Sequence, residues 1–577
     1  MSDAVSEAPA ARVTPARTRR PGWLDPFALV WIGSVAVLVF LVVSPLFRLF
    51  LSSFQSPETG AWTFGNYVTA FGRMRNLEVL GTSLLYAASV TVVAVLLAVP
   101  VAWAVARTDM PGKGFVRAMI LGAFITPPYL GAIGWILLAG PNAGWLNRAW
   151  MAMTGASEGL VNIYSFAGLV FVTALYSFPY VFVFTTDALD RVSTEMEEAA
   201  NVLGASSFRT TFSITLPLVT PAILAGAIVV FLDTVALFGT PAIIALPARI
   251  RVMTLQLWQY FEYPVRAEVA AAYSLPLIGI TVALFWAQRL ILGRKGYVAL
   301  TGKGGSRALT ALGPFRAVAF AYAFLVISLA VILPFAALGQ AAFSTAWGQG
   351  FSVSNLTLSN FTRLAADPNA RATIGHSFWY AAATGCLAVA LALVAAYTVT
   401  RRLMPGGFLL TLLCMAPLVI PGIVLAIGFY ATYSTPPIAL YGTAAILILA
   451  FTTRFLPIAY VNTQAGLRSL NPEMEEAVRI LGGSRATAVS RVVVPLLKKG
   501  LIGSWLLVFI PAVRELSTAL FLVGPNTRVI SVMMLDLSEN GSFETLAALG
   551  FVLLGATLAI VAIGYRIVGR DFMLRRS

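Results

Sequence analysis

Twelve apolar runs punctuate the chain, near 27–52, 81–105, 116–139, 163–186, 215–238, 268–291, 316–340, 375–399, 407–431, 438–461, 499–522 and 547–567. A helix of about 20 residues crosses roughly 30 Å of hydrocarbon, so each run is long enough to span a bilayer. Backbone polar groups in lipid must be satisfied within the segment, which predicts an all-α polytopic membrane protein. Composition agrees. The 577 residues are 59% hydrophobic and 11% charged, against about 25% charged in soluble domains. Residues 1–26, rich in Ala, Arg and Pro, are not expected to be a cleavable signal, because the following apolar run is too long and no clear cleavage site follows. They are expected to be a disordered cytoplasmic tail.

A net charge of +15 would suggest a polyanionic partner in a soluble protein. Here the basic residues gather on alternate loops, as in Arg17, Arg19, Arg20, Arg294, Lys295, Lys498, Lys499, Arg575 and Arg576. That is the positive-inside bias, which puts both termini in the cytoplasm. The charge sets topology, and no nucleic-acid partner is expected. Cys386 and Cys414 both fall in spans and read as small core residues rather than a disulfide or metal site. His376 is the one histidine, and a packing role is expected for it. No metal or other cofactor is implied.

The chain also repeats itself. Residues 195–206 read EMEEAANVLGAS and residues 473–484 read EMEEAVRILGGS, 278 positions later. Pro179 and Pro457, Leu189 and Leu467, Pro217 and Pro495, and Phe231 and Phe509 share that offset, and TPPYLGAIG (126–134) resembles IPGIVLAIG (420–428). Six runs separate the copies, so both polar segments emerge on one face, and the halves are parallel repeats about an axis along the membrane normal. The expected organisation is residues 27–291, a Gly-rich basic linker at 292–315, and residues 316–577.

Each copy has the chemistry of a short helix. In the second, Asn471 caps a helix beginning at Pro472, and Glu473, Glu475 and Glu476 occupy its first turns, where the helix dipole favours them. Met474, Ala477, Val478 and Leu481 share one face, and Gly482 stops the helix. In the first, Ser193, then Glu195, Glu197 and Glu198, then Met196, Ala199, Ala200 and Leu203, then Gly204, play the same parts. A second short helix (205–213, 483–491) is expected before the next span. One copy alone would suit an amphipathic helix packed beneath the bundle with its carboxylates in water. Two copies point to docking of a two-fold partner.

Glu198-Ala199-Ala200, then Gly204, then Ile214-x-Leu216-Pro217, resembles the EAA signature of permease subunits in binding-protein-dependent ABC importers. The second copy departs conservatively, with Val478, Val492 and Val494. The resemblance covers nearly the whole chain. It implies the type I importer fold, with about twelve helices in two pseudo-two-fold repeats in a bacterial inner membrane. It further implies that Glu198, Ala199, Ala200 and Gly204, with Glu476, Ala477 and Gly482, are coupling helices that contact two copies of a cytoplasmic ABC ATPase. A solute-binding protein outside would deliver the cargo. Two halves in one chain resemble the fused permeases of iron(III) importers, as do Thr453–Pro457 and Pro511–Leu516; thiamine, polyamine, sulfate and phosphonate remain alternatives.

No phosphate-binding loop is present: between Gly296 and Gly302-Lys303 one residue too many intervenes, and Gly304 follows the lysine. The chain is therefore expected to transport without hydrolysing ATP itself. Ionisable groups at membrane depth are costly and usually face a cavity or a partner. Asp233, late in the fifth run, and Arg514 and Glu515, late in the eleventh, are candidates to line the path or gate; the competing reading is a buried Asp–Arg pair joining the halves. Arg454 is read as structural. A secondary transporter driven by an ion gradient is the competing class, but it gives no reason for repeated docking helices.

Overall fold

The computed structural model describes residues 26–192, 200, 202–294, 309–350 and 352–568; the expected tail at 1–26, apart from Pro26, which begins a helix, and most of the linker lie outside them. Among the described residues ten helices are long and apolar enough to cross a membrane. In chain order the elements used below are α1 (Leu29–Ser53), α2 (Met74–Arg107), α3 (Lys113–Ile125), α4 (Pro128–Ala139), α5 (Phe166–Leu189), α6 (Thr211–Ala236), α7 (Ala267–Gln288), α8 (Phe315–Ala342), α9 (Pro368–Thr400), α10 (Gly407–Val419), α11 (Gly422–Tyr433), α12 (Ala444–Ser469), α13 (Glu473–Ile480), α14 (Arg485–Val513) and α15 (Phe543–Gly564).

Two of the twelve expected spans are not single helices. The runs at 116–139 and 407–431 are the pairs α3–α4 and α10–α11, bent by 102° and 113°. Pro127-Pro128 and Pro417 with Pro421 supply the physical cause, because proline cannot donate to the helical ladder. The first pair still carries the chain from one face to the other: Ala139 O, at the end of α4, accepts from Ile163 N just before α5 begins. The eleventh span is shorter than its apolar run. Helix α14 ends at Val513, so Arg514 and Glu515 lie at and beyond its end rather than inside it.

Proline also explains four π-turns. Those at Val39–Val43, Thr211–Thr215, Ser328–Ile332 and Val489–Val493 lie just before Pro45, Pro217, Pro334 and Pro495. In each, the residue preceding the proline bonds to the carbonyl five positions back, a slip of one residue in the ladder. The expected short helices before α6 and α14 are therefore the first turns of those spans, not separate elements.

The two halves exchange their first spans. α1 packs on α11 of the second half and α8 packs on α4 of the first. Glycine permits both approaches: a Cβ on Gly428 would lie 2.8 Å from Pro45 O, and one on Gly134 would lie 2.8 Å from Pro334 Cβ. The Tyr433 hydroxyl donates to Phe40 O across this seam, and Trp135 Nε1 donates to Leu329 O at 3.2 Å across the other. At the face opposite the motif loops, Asn66 Nδ2 holds Ser53 O and Gln55 O, while Asn360 Nδ2 holds Ala342 O and Ser344 O. These two asparagines belong to a second repeat, Thr63-x-x-Asn66 and Thr357-x-x-Asn360.

Cys414 is buried, but Cys386 is exposed on the flank of α9 and not in the core; both thiols are free. His376 stacks on Tyr380 at 5.3 Å, a packing role.

Candidate docking face and membrane junction

Both motif loops leave the bundle at one end. Arg107, closing α2, donates from Nη2 to Val192 O at 3.5 Å, at the start of the first loop. Thr108 beside it pairs with Thr310, which precedes α8. From that face α8 crosses away and α9 returns, ending at Arg401, which donates to Leu470 O at 3.3 Å just before the second loop. Val192 and Leu470 are themselves a repeat pair.

The second motif helix is inside out relative to its expected packing. Its buried residue is a carboxylate, Glu475, and not the apolar set. Arg401 grips Glu475 Oε1 with Nη2 at 2.6 Å and Nε at 2.8 Å, and the Tyr397 hydroxyl donates to Oε2 at 2.8 Å. Ile480 and Leu481 are 85% and 87% exposed, and Met474, Glu476, Ala477 and Gly482 are also exposed. Asn471 Oδ1 accepts from Glu473 N at 3.1 Å and starts the helix. Gly482, at φ +83°, ends it, with Gly483 N bonded to Val478 O, a closure that needs a left-handed residue.

The first copy closes the same way. Gly204 sits at φ +81°, and Ala205 N bonds to Ala200 O. Val202 and Leu203 are 88% and 87% exposed, whereas Ala200 is buried. Glu198 and Ala199, with Glu195 and Glu197, lie outside the described residues.

Arg107, Arg401 and Tyr397 were not singled out from sequence. A signal exists: Ala102-Trp103-x-Val105-x-Arg107 and Ala396-Tyr397-x-Val399-x-Arg401 recur, each followed by Met-Pro-Gly.

At membrane depth the candidate residues separate. Arg514 reaches into the other half, where Nη1 donates to Phe124 O, Ile125 O and Thr126 O at 2.8, 2.9 and 3.0 Å. Glu515 stays within its own half: Oε2 pairs with Arg454 Nε at 3.3 Å, and Oε1 accepts from Thr518 N at 2.8 Å. Arg454 also donates to Thr518 Oγ1 at 3.2 Å and packs so closely on Gly422 that a Cβ there would overlap its Nη1. Asp233 is half-buried on α6 and, among the described residues, enters no ion pair. The charges acting on it are Arg454, Arg514 and Glu515, and the phenols of Tyr86 and Tyr180 lie within its field. Among the described residues the buried hydroxyls of Tyr129 and Tyr176 have no hydrogen-bond partner. Among the described residues no cluster of metal-ligating side chains occurs.

The family described as "Binding-protein-dependent transport system inner membrane component" matches residues 18–297 and 388–570. The chain belongs to this family. Among relatives of the permease is the ferric transport system permease protein FbpB of Actinobacillus pleuropneumoniae, 26% identical over 555 residues, covering 94% of this chain and 79% of that one. A putative ferric transport system permease protein FbpB 1 of Haemophilus influenzae is 25% identical over 517 residues, covering 88% and 80%. The molybdenum transport system permease protein ModB of Haemophilus influenzae is 30% identical over 203 residues, covering 34% of this chain and 86% of that one. The permease is thus a multi-pass membrane protein with two family domains fused in one chain.

Proposed function

We propose that the permease is the membrane subunit of an ATP-driven importer that admits ferric iron delivered by an external binding protein. The observation that carries this reading is the pair of exposed apolar knobs, Val202–Leu203 and Ile480–Leu481, on loops fastened to one face of the bundle. An apolar pair held out from a rigid support suits insertion into a partner cleft, and two copies suit a two-fold partner. Two cytoplasmic ABC ATPase subunits would take these loops through Glu198, Ala199, Ala200 and Gly204 and through Glu476, Ala477 and Gly482. In this reading both termini face the cytoplasm and two repeats, 27–291 and 316–577, flank a linker at 292–315. The permease hydrolyses nothing. Its two states differ in affinity for the ATPase dimer, and that difference moves the equilibrium.

Ferric iron is favoured among solutes because the ferric-transport relatives align with both halves in one stretch, whereas the molybdenum relative aligns with one. Asp233, a half-buried carboxylate that enters no ion pair among the described residues, lines the passage, and Arg514 and Glu515 brace the walls beside it. The test is capture of the ATPase. Leu203→Asp with Leu481→Asp places charge on both knobs without touching the core, and it should abolish co-purification of the ATPase and ATP-dependent uptake of labelled ferric iron. Uptake that survives both substitutions and needs no ATP would instead indicate an ion-driven transporter.

A further inference from the structure

The break between α3 and α4 leaves carbonyls without donors. In an unbroken helix Ala123 O and Phe124 O would accept from positions 127 and 128, but both are proline and have no N–H. The end of α3 also carries the negative pole of its dipole. Arg514 satisfies this site from the other half, with Nη1 shared among Phe124 O, Ile125 O and Thr126 O and its guanidinium carbon 6.0 Å from the Phe124 ring centre. A cation with several fixed donors is well matched to three converging carbonyls.

The position of Arg514 gives this contact its consequence. It caps α14, which begins a few residues after the second motif helix and runs unbroken to it. A push on α13 therefore travels along α14 to Arg514 and across the half boundary into α3. Among the described residues no matching hydrogen bond runs from the end of α6 into the other half. Ala236 stands at the matching end of α6, and among the described residues no side chain of the first half donates to Leu418 O, Val419 O or Ile420 O.

We propose that Arg514 is a positioning residue that makes the two docking loops inequivalent: the second drives both halves, the first only its own. This rests on the docking reading above. Gly204 and Gly482 provide a matched perturbation, with φ of +81° and +83° and open space where a Cβ would stand. Alanine at either imposes the same left-handed backbone strain. The experiment uses vesicles holding the full permease, its ATPase and iron-loaded binding protein, and follows labelled ferric iron uptake together with ATP hydrolysis. Gly482→Ala should lower uptake about fivefold more than Gly204→Ala, the low end of ordinary coupling effects. In an Arg514→Gln background the ratio should fall to one. Arg514→Lys, whose ammonium can still reach the carbonyls, should keep most of it.

A residue that only stabilised the bundle would lower the melting temperature without changing that ratio. Equal losses from the two alanine variants overturn the proposal whether or not Arg514→Gln folds. An inequality that persists in Arg514→Gln overturns it too. If neither alanine variant alters ATPase binding or hydrolysis, the docking reading itself falls and takes this inference with it.

Discussion

At the face that carries the motif loops, the two halves repeat one another down to single hydrogen bonds. Arg107 holds Val192 O as Arg401 holds Leu470 O, and Ala205 N meets Ala200 O as Gly483 N meets Val478 O. In the middle of the membrane the correspondence fails. Asp233 stands where the second half has Pro511, Arg514 and Glu515 where the first has Ala236 and Leu237, and Arg454 where the first has Tyr176. On the proposed reading a two-fold partner would grip matched handles, which would keep them matched, whereas a solute would pass once along the shared axis and meet both walls together, which would leave the walls free to diverge. Ionised groups at that depth are costly, and each half carries its own small set: Asp233 with several tyrosines in the first, Arg454, Arg514 and Glu515 in the second.

The clamp on the second motif helix offers the largest test of this contrast. Arg401 and Glu475 are 12% and 11% exposed at their side chains, and removing one member of such a pair strands the other charge. Arg401→Ala should cost about 3 kcal/mol, seen as a lower melting temperature in detergent and loss of ATPase capture. Arg107→Ala, which removes the matching hold on Val192 O, should also lower melting and ATPase capture. Loss of capture from Arg401→Ala alone would mean that the motif face is less symmetric than its hydrogen bonds.

Asp233→Asn examines the asymmetric interior. With no ion pair to break, melting should hardly change, while uptake should fall by about tenfold, equal to about 1.4 kcal/mol of barrier. Unchanged uptake would remove Asp233 from the passage. A smaller difference separates the clamps themselves: Tyr397 donates to Glu475, but Trp103 stands at its counterpart. Tyr397→Phe should cost about 1 kcal/mol in thermal melting, and Trp103→Phe should not reproduce it through a lost carboxylate bond.

The span count was legible because hydropathy over a window records composition, and every crossing is apolar. Direction is not recorded. The runs at 116–139 and 407–431 look as uniform as any other, and only Pro127-Pro128 and Pro417 with Pro421 announce the bends. The motif loops were legible from repetition alone. Their packing was not, because helical periodicity identifies an apolar face without saying which side the bundle occupies; here the bundle takes Glu475, and Leu481 faces out. The arginines that hold these loops escaped notice for a related reason. They recur at an offset of 294 and not 278, since the stretch between α4 and α5 is longer than that between α11 and α12.

At the face opposite the motif loops the symmetry returns, and with it a weak repulsion. Met253 N meets Ser83 Oγ and Ile530 N meets Ser377 Oγ, both at 2.7 Å, which aligns Glu262 with Glu539. Burial, then the carboxylates of Asp536 and Glu262, push the Glu539 carboxyl above its ordinary range. A raised carboxyl in the folded protein means that the folded state holds its proton to higher pH than the unfolded chain. Stability is then fullest below the ordinary carboxylate range and declines as pH rises through the raised value. Glu539→Gln should remove that decline, gaining about 0.5 kcal/mol or less at neutral pH for a group this exposed. The variant and the parent should converge on acidification. Melting curves that stay parallel across pH would show that the two glutamates do not sense each other, and that this rim, unlike the motif face, gains no coupling from its two-fold arrangement.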